Sequence, residues 1–267
     1  MKLRFSRLTW RYVLVVVMLA PNAVFAVESP KQAPQIVPKE QELLKQVCAT
    51  LSAAKNFEFH AEVTFDQVLP TRAKLQFAGA IEMARELPNR LMVNFASDLG
   101  SKRFWYDGET VTLLDGAHRV YGTMAVESSI GGMLTEIADR GNFTVPLSDL
   151  AVSDPCALLQ SVKNGIYVGI GDVDGTPTDH LAFAGKGATF QIWLERGARP
   201  LPRKIVITHT NVPESPQFTA IFTDWRFPKE IPESMFTPEI PKGFIRADFA
   251  AAKKAIEPGN PGGGKTK

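Results

Sequence analysis

The sequence predicts a mainly β domain, in which a large curved antiparallel sheet carries about three helices on one side. Apolar and polar residues alternate between Phe57 and Phe65, as in a strand with one buried and one wet face. Two Asp-Gly pairs, Asp107-Gly108 and Asp115-Gly116, lie between strand-like segments and indicate hairpins. Apolar residues recur at helical spacing over Glu40–Ala54, so a helix precedes the first strand.

The order of the remaining elements follows from the same two periodicities. Further strands are predicted at residues 75–81, 91–95, 167–173, 180–183, 189–195, 203–210 and 218–227. The β pattern breaks at Val126–Arg140, which has helical spacing, and a third helix is predicted to begin at Ser153-Asp154-Pro155. We expect the inserted helices to lie across the apolar face of the sheet.

The N-terminus has the pattern of a secretory signal peptide. Four basic residues precede the apolar run Tyr12–Ala20, which is shorter than the ~20 residues that span a bilayer. Cleavage is predicted after Ala26, which places the protein in the periplasm and leaves it without a membrane-spanning segment; a retained anchor is the alternative. The domain boundaries are a signal peptide (1–26), a flexible lead-in (27–39), one domain (40–249) and a disordered tail (250–267).

Removal of the signal peptide changes the charge balance of the chain. The mature chain keeps 26 basic residues against 28 acidic ones, although the full sequence has a pI of about 8.5. A slightly acidic protein lacks the basic surface that binds phosphate backbones, so nucleic acid is not an expected partner.

The two cysteines, Cys48 and Cys156, are the candidates for a disulfide in an oxidising compartment. Two buried free thiols are the alternative. No metal site or cofactor is predicted, because there is no CxxC and the four histidines are scattered. The chain also lacks GxSxG, HExxH and a phosphate-binding glycine loop, so we expect no enzyme. His180 and His209, with Asp179 or Asp224, are the residues that would have to meet in an unrecognised hydrolase site.

Several segments resemble the LolA/LolB-like superfamily of periplasmic lipoprotein carriers and receptors, over roughly Glu40–Phe249. Within that group the chain is most similar to a family of predicted periplasmic proteins of unknown function. The segments that carry the resemblance are Leu44–Phe65, Phe104–Gly108, Gln191–Glu195 with Leu201–Ile205, the inserted Asp154-Pro155 helix, and the ending that contains Phe236, Pro238, Pro241 and Gly243.

The resemblance implies a half-open barrel whose concave apolar face is closed by helices and receives acyl chains. Carriers of the group hold this lid shut with an arginine on an early strand, for which Arg72 and Arg90 are the nearby candidates here. Half-barrels of this kind bind a lipid or an acylated protein, and some members of the superfold act in envelope signalling through a protein partner.

A set of apolar strand residues is predicted to line the cavity, or else to fill a core. Its members are Phe57, Phe59, Phe65, Phe77, Leu91, Val93, Phe95, Phe190, Ile192, Ile205 and Ile207. The lid candidates lie in the inserted helical region beside Gly131-Gly132, where a plain loop-helix junction is the alternative. They are Ile130, Met133, Leu134 and Ile137.

Three functions are therefore open. The first is a periplasmic carrier or binding protein for a lipid or lipoprotein acyl chain. The second is an envelope interaction or sensory module with a filled core, in which aromatic residues such as Trp105, Trp193 and Trp225 mark a partner surface. The third is a hydrolase.

Overall fold

One sheet of twelve strands dominates the protein, in a computed structural model that describes residues 38–141, 144–155, 157 and 164–249. The strands are β1 (Asn56–Val68), β2 (Lys74–Glu86), β3 (Arg90–Ser97), β4 (Gly100–Tyr106), β5 (Thr110–Asp115), β6 (Val120–Ala125), β7 (Asn164–Val173), β8 (Thr176–Ala184), β9 (Thr189–Glu195), β10 (Pro202–Thr208), β11 (Gln217–Arg226) and β12 (Ile245–Arg246). Their spatial order is β12-β6-β5-β4-β3-β2-β1-β11-β10-β9-β8-β7. The sheet is open and curved, with β12 and β7 at its two edges.

The described residues contain two α-helices, α1 (Pro38–Ala53) and α2 (Ile130–Gly141), and two short 3-10 helices at Ser148–Leu150 and Glu233–Phe236. The first two predicted helices are thus found, within a few residues of their expected ends. Of the third, Ser153–Pro155 forms a bend and a turn and Ala157 is helical; the rest of its predicted length lies outside the described residues, so this helix stays a prediction.

The prediction of a wholly antiparallel sheet is wrong at one edge. The two-residue strand β12 pairs in parallel with β6, aligning Ile245 with Val120, whereas the other strand pairs are antiparallel. The C-terminal segment can reach this edge because it crosses the outside of the sheet, where Ile231 and Phe236 pack on Ala84 and Met92. A short strand after a long connection leaves no alternation that a sequence pattern can detect.

The predicted Asp-Gly hairpins are found, and their side chains explain the turns. Asp107 Oδ1 accepts hydrogen bonds from the backbone N–H groups of Glu109 (2.9 Å) and Thr110 (2.7 Å), which turns β4 into β5. Between β7 and β8, Asp174 and Gly175 have φ angles of 51° and 78°. Two consecutive positive φ values define the turn whose twist matches a two-residue hairpin, and Gly175 adopts its value without a steric cost.

Candidate functional site

The strand register places all eleven predicted cavity residues on one face of the sheet, called here the apolar face. Directly paired residues point to the same side, and Phe57, Phe59 and Phe65 of β1 pair with Arg85, Met83 and Phe77 of β2. On the other side of β1, the register continues through Phe218 to Ile207 and Phe190. The alternation of apolar residues therefore predicted the face correctly, because a strand's side chains have a strict period of two.

Helix α2 covers one half of the apolar face, and this half is filled. The lid candidates Ile130, Met133 and Ile137 are fully buried in the main core cluster, together with Phe57, Phe59, Leu91 and Val93, and Leu134 packs at its margin. Tyr106 fixes the start of α2, since its hydroxyl donates to Ser128 O (2.6 Å) and accepts from Ser128 N–H (3.0 Å). Burial raises the pKa of this tyrosine.

Helix α1 also packs on the apolar face, over strands β8 and β9. Leu44, Val47 and Leu51 contact Leu181 and Leu194 of β8 and β9 in a second buried cluster. Trp225 joins the two clusters, because its ring lies 4.8 Å from the ring of Phe59 and its Nε1–H donates to Pro202 O (3.0 Å). Trp225 is therefore a half-buried residue packed between the two clusters and does not mark an exposed aromatic surface.

At one end of the apolar face, a line of apolar side chains crosses five neighbouring strands, and four of the five are half-buried. This line, called here the open row, consists of Phe190, Ile207, Phe218, Phe65 and Phe77, each paired with the next. Phe65 is 8% exposed and the other four are more exposed than that. Five strands at ~4.8 Å spacing give the row a width of about 19 Å.

Arg85 of β2 is a fully buried cation on the apolar face. Its guanidinium lies over the ring of Phe57 at 4.2 Å and donates to Leu51 O (3.3 Å) and Ala54 O at the end of α1. It also donates to Val152 O (3.3 Å), which follows α2. Burial lowers the pKa of Arg85 from 12.5 to about 10. Because that pKa is far above neutrality, Arg85 is charged. Its hydrogen bonds connect the sheet to α1 and to the segment that follows α2.

Arg72 and Arg90, the two arginines that the resemblance suggested for holding the lid shut, do not lie at this position. Arg72 is exposed and pairs with Glu214 (2.7 Å), while Arg90 points to the opposite face and lies 3.5 Å from Glu233. Both therefore pair with carboxylates that lie outside α2. The sequence did contain a signal for Arg85: the alternation Phe77, Gly79, Ile81, Met83 continues to Arg85, which puts a charge at an apolar-face position.

The hydrolase candidates are not brought together. The ring of His180 stacks on Trp193 on the outer face, with 3.9 Å between the ring centroids. Burial, the largest influence, lowers the pKa of His180. Asp179 points to the apolar face, where it accepts from Tyr167 (2.7 Å) and lies near Lys39. Among the described residues there is no group of three His, Cys, Asp or Glu side chains placed to hold a metal ion.

Cys48 is half-buried on α1 and is not a free thiol. Cys156 lies outside the described residues, so its pairing with Cys48 stays a prediction. The signal peptide and its cleavage site, the lead-in up to residue 37 and the tail from residue 250 also lie outside them.

A surface depression near the start of α2 differs in character from the predicted cavity. Most of its lining residues are polar or charged and none is a predicted cavity residue; the lining is Pro88, Asn89, Gly108, Glu109, Glu127, Ser128 and Ser129. The apolar face and its open row therefore remain the candidate site.

Comparison with known protein families assigns the domain. The family model described as "Predicted periplasmic protein (DUF2092)" matches residues 40–250. The chain belongs to this family. The family predicted from the sequence is thereby confirmed, and the DUF2092 match covers the whole sheet, all of α2 and α1 from Glu40 onward. A search of curated proteins gives no match.

Solved structures similar to this DUF2092 protein include LprF from Mycobacterium bovis, with 15% identity, 75% of this chain and 98% of that chain covered, and a TM-score of 0.44. A LolA superfamily protein from Nitrosomonas europaea is 12% identical. The alignment covers 74% of this chain and 97% of that chain, with a TM-score of 0.33. A chain of the MucA/MucB complex of Pseudomonas aeruginosa is 15% identical. The alignment covers 75% of this chain and 61% of that chain, with a TM-score of 0.40.

In the part of the chain that the structure describes, no helix of the DUF2092 domain is long and apolar enough to cross a membrane.

Proposed function

We propose that this protein binds a hydrophobic ligand, the acyl chain of a lipid or lipoprotein, on its apolar face in the periplasm. The observation that carries the proposal is the open row, a line of five adjacent apolar side chains of which α1 and α2 leave four half-buried. Contiguous apolar surface of this kind is costly in water and marks a binding groove more often than a free surface.

The contacts of Arg85 and α2 suggest how the binding site could enlarge. Helix α2 and residues 144–152 cover the filled half of the apolar face. Tyr106 holds the start of this cover and Arg85 holds its end. Loss of the hydrogen bond from Arg85 to Val152 would free one end of this cover and expose Phe57 and Leu91 beneath it. An acyl chain entering at the open row would then displace α2 from the apolar side chains.

Native mass spectrometry of the mature protein, purified gently from periplasm and followed by lipid extraction, tests the proposal. We expect a co-purifying lipid. We also expect Phe77→Asp to weaken the binding of a fluorescent fatty acid by at least about tenfold, or ~1.4 kcal/mol, because a carboxylate in the open row must be desolvated. Met235→Asp is the matched control: Met235 is 37% exposed outside the apolar face, and the same charge there should not change binding.

An interaction module in the cell envelope is the second candidate. The observation that favours it is the filled half of the apolar face, where Ile130, Met133 and Ile137 are fully buried and already occupy the place of a ligand. A protein that is repeatedly purified empty, and that takes up neither fatty acid nor phospholipid, would overturn the lipid proposal in favour of this one.

A further inference from the structure

The apolar face carries a lysine beside the open row. The residues of β4 that share this face are Tyr106, Phe104 and Lys102, because they alternate along the strand. In the register, Lys102 pairs directly with Phe95 of β3. The ring centroid of Phe95 lies 5.8 Å from that of Phe65, a member of the open row. The apolar surface of the open row therefore continues through Phe95 to a basic side chain.

Lys102 belongs to an ionic cluster and is still accessible from solvent. Its Nζ lies 3.9 Å from Asp115 Oδ2, and the Asp115 side chain is fully buried. Asp115 also accepts hydrogen bonds from the backbone N–H of His118 (3.1 Å) and from Nδ1 of the same histidine (2.9 Å). The Lys102 side chain is 18% exposed. The cluster thus fixes a lysine that a small ligand group can reach.

The surroundings of Lys102 favour an anion that arrives together with an apolar chain. Burial lowers the pKa of Lys102, and the charge of Asp115 opposes this shift. Charges attract each other more strongly in a partly desolvated place than in bulk water, because the local dielectric constant is lower. Phe95 beside Lys102 offers apolar contact to the first carbons of such a chain.

The dimensions of the open row suit a single acyl chain with a small head group. A bilayer's hydrocarbon core is ~30 Å thick and two chains deep, so one chain spans about 15 Å. The open row is about 19 Å wide at the spacing of neighbouring strands. Because Lys102 is largely buried, the head group must be attached directly to the chain, as a carboxylate is. The phosphate of a phospholipid instead lies beyond a glycerol unit.

These observations narrow the ligand class. Resting on the function proposed above, we propose that the ligand of the apolar face is a long-chain fatty acid whose carboxylate pairs with Lys102. Its chain lies along Phe95 and the open row. A lipoprotein's lipid-modified cysteine is then a poorer ligand, because its acyl chains are held by ester and amide bonds and end in no anion.

Two fluorescent probes test this proposal, a fatty acid and its methyl ester with the same chain and fluorophore. A purely apolar groove would bind the ester at least as tightly as the acid, because the ester has no charge to desolvate. We expect the mature wild-type protein to bind the acid at least about tenfold more tightly. Lys102→Met should abolish this preference without changing the Kd of the ester, and Lys102→Arg should retain it.

Lys74→Met is the matched control. Lys74 lies 3.2 Å from Asp66, another largely buried carboxylate, and both residues are on the opposite face of the sheet. This variant should bind both probes as the wild type does.

The outcomes separate this proposal from the proposed function. Wild-type protein that binds the ester as tightly as the acid would overturn the carboxylate assignment while the binding of acyl chains stands. Binding of neither probe would overturn both. A preference for the acid that survives in Lys102→Met, with a wild-type urea midpoint, would overturn the role of Lys102. Displacement of the bound acid by an equal concentration of phospholipid would overturn the choice of a fatty acid.

Discussion

At the scale of single residues, Arg85 is a buried charge that connects two segments far apart in the chain. A buried guanidinium is costly because it leaves water, and here the cost is offset by backbone carbonyls from two separate segments and by the face of Phe57. Such a group stabilises only the arrangement in which both segments are in place. It is therefore suited to hold a cover that has a closed and an open position.

Replacement of Arg85 by leucine should loosen this cover. The substitution leaves the carbonyls of Leu51, Ala54 and Val152 without their donor, at a cost of about 1–3 kcal/mol in the free energy of unfolding. We expect faster hydrogen exchange in α2 and in residues 144–152, and a lower urea midpoint. Arg85→Lys should be intermediate, because one ammonium group cannot reach carbonyls on both segments as a planar guanidinium does.

The matched control for Arg85→Leu is Arg90→Leu. Arg90 pairs with Glu233 at the surface, so its loss should change stability by less than about 0.5 kcal/mol and leave α2 exchange unchanged. Exchange in α2 that is as slow in Arg85→Leu as in the wild type would show that the arginine does not hold the cover. Since the pKa of Arg85 is about 10, the difference between variant and wild type should be the same at pH 6 and pH 8.

At the scale of elements, α2 combines a buried apolar face with a first turn of low helix propensity. Ile130, Met133 and Ile137 are fully buried, yet Gly131 and Gly132 occupy the first turn and lower its helix propensity. Packing therefore holds α2 on the sheet while its own backbone resists unfolding poorly. A cover of this composition can be displaced by a ligand that replaces its apolar contacts.

Gly131→Ala should stabilise the closed position of α2. An added Cβ would meet Val152 Cγ1 at 3.8 Å and Ser129 Oγ at 4.0 Å, both ordinary contacts, so the gain in helix propensity of about 0.5–1 kcal/mol should be realised. We expect slower α2 exchange and slower uptake of a fluorescent fatty acid. Gly132→Ala is the comparison, because its Cβ would meet the Ser128 side chain, which must rotate away. Uptake that is faster in Gly131→Ala would contradict the role of α2 as a cover.

The elements also show which features a sequence can predict. Period-two alternation placed all eleven predicted residues on one face because the pleat makes side-chain direction a local property. Whether that face is hollow or filled depends on where α2 lies, which is set by contacts between residues far apart in the chain. Arg85 was missed for a related reason, since its three acceptors are backbone carbonyls and carry no residue-type signal.

At the scale of the whole molecule, the protein's long-range ties converge on one region. Arg85 joins the end of α1 to Val152, and Cys48 lies three residues before Leu51 while Cys156 lies four residues after Val152. A disulfide between the two cysteines would thus join the same segments that Arg85 joins. It would also limit how far the cover can move from α1, so that opening for a ligand is partial.

Reduction of the mature protein tests this covalent tie. We expect no titratable thiol before reduction and a mass about 2 Da below that of the reduced chain. Because the bridge closes a loop of roughly a hundred residues, its removal should lower the free energy of unfolding by about 4–5 kcal/mol, or less if the native bridge is strained. Cys48→Ser with Cys156→Ser should reproduce the reduced protein and speed fatty-acid uptake, since the cover then opens further. Two titratable thiols in the unreduced protein would leave Arg85 as the tie between α1 and the segment after α2.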